Sequence, residues 1–132
     1  MTDCVFCEIE SLDIIAENKL ALAFYDGSPV SKGHTLVIPR RHAETYFDVT
    51  PDEHLAMFKL IKEVKKYLDK KYCPDAYNIG ANVGPAAGQT IFHFHFHVIP
   101  RYEGDVPDPR GGVRKVIPTR SHHPVNNRET LH

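Results

Sequence analysis

Between Ile91 and Val98 the chain alternates apolar and histidine residues without a break: Phe92, His93, Phe94, His95, Phe96, His97. A period of two belongs to a β-strand, in which residues i, i+2 and i+4 share a face. The alternation predicts a strand over residues 89–100 with two unlike faces. Phe92, Phe94, Phe96 and Val98 suit a core beneath a helix. His93, His95 and His97 are left for a cleft or for solvent.

Read plainly, the histidine face is a half-exposed strand whose polar residues happen to be histidine. Same-face neighbours in a strand lie roughly 7 Å apart. Two imidazolium charges at that distance repel by about 2 kcal/mol at an effective dielectric of 20. Histidines so placed hold one another partly neutral, which suits a nucleophile better than a soluble surface. Three histidines can also hold a catalytic zinc. Alternate residues on one strand diverge little, however, and suit two ligands better than three.

The rest of the chain supplies partners for such a strand. Residues 20–25 read as a strand followed by turn chemistry in Asp26-Gly27-Ser28-Pro29, and residues 34–39 as a second strand ended by proline. Thr50, Pro51 and Glu53 make a capped helix start. Leu55, Phe58, Ile61, Val64 and Leu68 recur behind it at helical spacing, with Lys59, Lys62, Lys66 and Lys70 opposite, which predicts a helix to about Lys71. Residues 77–83 read as a further strand and 84–88 as a small-residue loop. Strands, one inserted helix, then more strands predict an α+β domain with a mostly antiparallel sheet. It is placed at residues 1–107. Residues 108–132 form an extension, with an apolar piece at 113–117 and a polar tail expected to be mobile from about Ser121.

Composition narrows the partners. The 132 residues suit one domain, and a formal net charge of −1 argues against a general nucleic-acid binder. No apolar run approaches the roughly 20 residues that span a bilayer. The first ten residues lack the pattern of a signal peptide. Three cysteines without an export signal make a disulfide framework a poor fit, and the expected location is the cytoplasm. Cys4 and Cys7 have the two-residue gap of tetrahedral zinc sites. Redox chemistry is the competing use of that spacing. Cys73, beside Pro74, reads as a plain buried or half-buried thiol.

The run His93-Phe94-His95-Phe96-His97-Val98-Ile99 resembles the signature of the histidine-triad nucleotide hydrolases and transferases. The stretch from Ala23 to Pro29, then Gly33 to Pro39, is similar to the family's nucleoside-binding half. Asn82 to Gln89 is similar to its phosphate loop, and Cys4-x-x-Cys7-Glu8-Ile9 to the start of many bacterial members. The resemblance spans roughly residues 3 to 107.

It implies about five strands, one long helix and a short N-terminal helix. It also implies a catalytic set: His95 as nucleophile on an α-phosphate, oriented by the His93 carbonyl; His97 as donor to phosphate or leaving group; and His34 as the upstream active-site histidine. Asn82, Gln89 and Thr90 would offer neutral donors to phosphate, Asp26 would bind ribose, and Phe6, Ile9 and Phe24 would form the base slot. Cys4, Cys7, His42 and His93 would hold a structural zinc ion. The implied partner is a small, adenosine-containing nucleotide, the implied assembly a homodimer, and neither nucleic acid nor membrane is implied. Two substrate classes stay open, dinucleoside polyphosphates and nucleoside phosphoramidates. Asn82 departs from the glutamine of the first branch, whereas residues 84–90 are closer to it. A nucleotide-binding module with slow turnover and a His/Cys metal-binding protein are the alternatives to an enzyme.

Overall fold

The computed structural model describes residues 4–118. Residues up to Tyr102 make one compact unit, and Glu103 onward makes a second. In the first, five strands are β1 (Ile14–Glu17), β2 (Ala21–Tyr25), β3 (Thr35–Pro39), β4 (Ala76–Gly80) and β5 (Phe96–Arg101). They pair antiparallel throughout, in the order β1-β2-β3-β5-β4. One helix, α1 (Pro51–Tyr72), is inserted between β3 and β4. This is the α+β architecture that the sequence pattern predicts. The short N-terminal helix is a 3-10 turn, Ile9–Ser11.

α1 begins as its residues dictate. The Thr50 hydroxyl accepts from the Glu53 amide at 3.2 Å, and Glu53 Oε1 accepts from the Thr50 amide at 2.9 Å. Arg41 grips the same carboxylate through Nη2 and Nε at 2.8 and 3.0 Å. That contact, ahead of the other influences, holds Glu53 below the usual carboxylate range. The helix stops at Cys73, which takes a left-handed conformation (φ 51°) and caps Asp69 through its amide. Cys73 is exposed, not buried.

The buried stripe of α1 is Met57, Leu60, Val64 and Leu68. Leu55 and Phe58, expected in the core, are 52% and 44% exposed. At about 100° per residue both lie far around the helix from Met57. Two overlapping apolar stripes share Val64 and Leu68, and the sheet selects one of them. The lysine face is exposed as expected.

The sheet is covered on both sides. Ala21, Ala23, Val37, Phe94, Phe96 and Val98 pack with the α1 stripe. Leu22, Phe24, Leu36 and Ile38 pack on the other side with Phe6. The two alanines of β2, both fully buried, let the helix lie close to the sheet.

The long histidine strand is shorter than its alternation suggests. Regular pairing begins at Phe96, and residues 90–95 run outside the ladder. β3 ends at Pro39, and the next amide, Arg40, turns away to the Leu20 carbonyl at 2.8 Å. There the Phe94 amide donates to the Ala43 carbonyl instead of to a strand partner. Phe92, outside the ladder, is 39% exposed rather than core. The strand read over 77–83 ends at Gly80, leaving Asn82 in an irregular segment.

As far as it is described, the second unit holds a 3-10 helix, Gly112–Val116, with Val113, Val116 and Ile117 exposed. Arg110 pairs with Asp108 at 3.0 Å, and Lys115 donates to the Asp108 carbonyl. The expectation for the tail from Ser121 lies outside the described residues. Among the described residues, no helix is long and apolar enough to cross a membrane.

Gly33 joins helix to cleft. Its φ is +87°, and a Cβ there would meet Tyr72 Cδ2 at 3.0 Å. Gly33→Ala is therefore expected to cost about 1–3 kcal/mol, read as a lower urea midpoint at unchanged m-value.

Candidate active site

The three histidines still alternate, and each has one ring nitrogen committed. His93 is fully buried and donates from Nε2 to the Pro39 carbonyl at 2.7 Å. That bond forms at the point where the β3–β5 ladder stops. A neutral imidazole carries one proton, so Nδ1 of His93 is an acceptor. It faces Cys4 Sγ and Cys7 Sγ, each at 3.4 Å, and His42 Nδ1 lies 3.4 Å from Cys7 Sγ.

Two residues on, His95 donates from Nδ1 to the His93 carbonyl at 2.8 Å. Its Nε2 lone pair is therefore free on the cleft side. The ring meets the edge of Phe6 at 5.2 Å and of His97 at 5.1 Å between centroids. His97 Nδ1 lies 2.9 Å from His34 Nε2, and that same nitrogen lies 3.4 Å from Asp26 Oδ2. The Val30 amide donates to His34 Nδ1 at 3.1 Å.

Burial is the main influence that favours the neutral form of His34, His93 and His97. Burial, then the neighbouring His95 and His34, pushes His97 down to about 4. Burial also lowers His34, against the pull of Asp26. Repulsion along the strand, the cause expected from sequence, is the secondary one for His97.

These groups line a cavity of about 490 Å³, within the usual range for a small-molecule site. Of the residues proposed from sequence for catalysis and substrate binding, Phe6, Asp26, His34, Asn82, Thr90, His95 and His97 line it. Three of the proposed set do not. Gln89 is buried and spent on the loop: Oε1 accepts from the Gly84 amide at 2.9 Å, and Nε2 donates to the Glu44 and Ile91 carbonyls. Phe24 sits in the core against Phe6, with centroids 5.2 Å apart, and Ile9 belongs to the N-terminal 3-10 turn. Leu36 and Ile91 supply apolar lining instead. Ile91 shares the parity of the triad histidines and so carries a periodicity signal, whereas Leu36 sits in the continuous buried run of β3 and carries none. The Val30 amide carries none, because every non-proline residue has one.

Among the described residues, two clusters have the composition of a metal site: Cys4, Cys7, His42 and His93, and separately Asp26, His34 and His97. The nitrogen that each histidine keeps away from the ligating position separates them. A metal-bound histidine donates its other N–H to a fixed acceptor. His93 does so, to Pro39, and the thiolate-imidazole set suits tetrahedral zinc. His34 does the reverse, since its far nitrogen accepts from Val30. A metal on His34 Nε2 would demand a fully deprotonated ring or a broken hydrogen bond. The Cys/His cluster fits a metal; the Asp/His cluster fits a proton.

The HIT domain family model matches residues 8–104. The chain is 50% identical over 108 residues to an uncharacterized HIT-like protein of Methanocaldococcus jannaschii, covering 77% of this chain and 81% of that one. It is 40% identical to an adenosine 5′-monophosphoramidase of Schizosaccharomyces pombe, over 74% of each. A zinc-bound histidine triad family protein from Mycobacterium smegmatis superposes with a TM-score of 0.72 at 36% identity, covering 80% of this chain and 84% of that one. With the triad and its fold both in place, this chain belongs to the HIT family.

Proposed function

We propose that this protein hydrolyses a nucleotide at its α-phosphate through a nucleotidyl intermediate on His95. The observation that carries the reading is the bond from His95 Nδ1 to the His93 carbonyl at 2.8 Å. It sets the tautomer, aims the ring and leaves the Nε2 lone pair on the cleft. Attack by Nε2 on phosphorus expels the leaving group. Water then displaces the histidine, and the nucleoside monophosphate departs. His97 supplies a neutral donor beside the reacting phosphate, and Asn82 and Thr90 supply others from the loop side. Asp26 Oδ1 accepts from the Ser28 amide at 2.8 Å, which leaves further lone pairs of the carboxylate for ribose hydroxyls. Phe6 and Ile91 offer apolar walls for a base.

An adenosine-containing nucleotide is the substrate class proposed, supported by the similarity to a monophosphoramidase. A binding module without turnover has no need of an oriented nucleophile, and we place it second. The Cys4, Cys7, His42 and His93 cluster is proposed to hold zinc in a structural role, tying the N-terminal segment to the end of β3. None of these four residues lines the cleft, so zinc held there would support the fold and not contact the reacting phosphate. A homodimer is proposed through the outer edge of β4 and the exposed side of α1, where Leu55, Phe58 and Ile79 lie bare.

His95→Ala is expected to lower kcat about ten-thousand-fold while nucleotide still raises the melting temperature; equal rates in both proteins would remove His95 from the mechanism. The double variant Cys4→Ala, Cys7→Ala should carry no zinc by elemental analysis and melt about 10 °C lower, whereas unchanged metal content would place zinc elsewhere. In light scattering, Phe58→Asp should halve the particle mass, and a monomeric native protein would refute the dimer.

A further inference from the structure

We propose that the Val30 amide, acting through His34, holds His97 as a hydrogen-bond donor with no proton to give away, so that the cleft favours leaving groups that depart as stable anions. The inference rests on the hydrolase reading above and specifies its substrate class.

The argument follows one chain of hydrogen bonds. The Val30 N–H donates to His34 Nδ1 at 3.1 Å, so that nitrogen bears a lone pair and the His34 proton sits on Nε2. Nε2 lies 2.9 Å from His97 Nδ1 and 3.4 Å from Asp26 Oδ2. His97 Nδ1 therefore accepts, and the His97 proton sits on Nε2, the nitrogen left for a ligand. Were His97 to become an imidazolium, its Nδ1–H would face His34. His34 would then need its own proton on Nδ1, head-on against the Val30 N–H. A hydroxyl in place of that amide could reverse its role; a backbone amide cannot.

Nor can the ring or the loop turn away. His34 is 3% exposed. The segment carrying Val30 is tied to β5 by the Ser31 hydroxyl on the Pro100 carbonyl at 2.7 Å, and to the residue after β5 by the Tyr102 hydroxyl on the Lys32 carbonyl at 2.7 Å. The His34 amide closes the loop on the Ser31 carbonyl at 3.2 Å.

The consequence appears in the first step. The His95 Nε2 lone pair forms a bond to phosphorus, and the bond from phosphorus to the leaving atom breaks with its electron pair going to that atom. The His95 proton stays on Nδ1, bonded to the His93 carbonyl. The departing atom receives a hydrogen bond from His97 Nε2–H, but the proton stays on nitrogen, because its loss would leave an imidazolate. In the return step, water oxygen bonds to phosphorus, the phosphorus–nitrogen pair returns to His95, and the water proton leaves to solvent. Sulfate, phosphate and carboxylate depart readily under these terms. An amine must take its proton from water.

The test uses the full chain and a series of aryl esters of adenosine 5′-monophosphate, with phenols of graded acidity. The burst of phenol reports the first step. Without proton donation the wild-type rate should fall steeply as the phenol becomes less acidic, roughly fivefold or more per pKa unit. Val30→Pro deletes the amide proton, frees His34 Nδ1 to be protonated, and should flatten that dependence. His34→Gln retains an N–H toward His97 yet cannot relay a proton. It should keep the wild-type slope and lose less rate than His34→Ala. A shallow wild-type slope, or a slope altered by His34→Gln, overturns this inference alone. A wild type that releases no more phenol than His95→Ala overturns the hydrolase reading, and this inference with it.

Discussion

The hydrogen bond from His93 Nε2 to the Pro39 carbonyl is the constraint on which the rest of the site depends. It occurs where the β3–β5 ladder gives out, and a side chain takes up a strand carbonyl there. It decides the tautomer of His93 and so turns Nδ1 toward Cys4 and Cys7. The same residue's backbone carbonyl, left over by the loss of pairing, receives the Nδ1 proton of His95. A continuous strand over residues 89–100 would engage that carbonyl in the ladder and leave the His95 ring unaimed. The irregularity is thus what separates a row of histidines into a proposed ligand, His93, and a proposed nucleophile, His95.

The sheet serves two clienteles through its two faces. Small residues, Ala21 and Ala23, lie beneath α1 beside Phe94, Phe96 and Val98. Larger ones, Leu22, Phe24, Leu36 and Ile38, support Phe6, which in turn meets the His95 ring. Helix packing reaches the cleft by a second route, since Tyr72 at the end of α1 lies against Gly33, next to His34. Core packing and catalytic geometry are therefore not separable here. A change of volume beneath the helix would be felt at His34 through one glycine.

Two imidazole clusters of similar composition take opposite electronic roles because of their backbone partners. A carbonyl behind His93 leaves its inner nitrogen an acceptor facing Cys4 and Cys7, and an amide behind His34 makes its outer nitrogen a donor. Burial favours the neutral form of His34, His93 and His97. Neutrality alone would not assign the protons. Backbone groups, which cannot titrate, do that.

Much of this was legible in the chain itself. The alternation from Phe94 to Val98 determined which residues share the core face, because side-chain period is a local property of extended backbone. Thr50, Pro51 and Glu53 determined where α1 begins, because capping uses neighbours three residues apart. The triad, with Cys4 and Cys7, also carried the family resemblance. Other features were beyond local reading. Leu55 and Phe58 are as apolar as Met57 and Leu60, and only the sheet chose between the two stripes. Gln89 has the chemistry of a phosphate donor, but its amide is consumed by Gly84, Glu44 and Ile91, residues that meet it only in the fold. β1 is short and lacks alternation, so its pairing with β2 supplies what its sequence does not. The sequence by itself determined the residue types and their faces, which follow from backbone geometry. Only the tertiary structure decided which nitrogen of each histidine bears its proton, because that depends on carbonyls and amides brought in from distant parts of the chain.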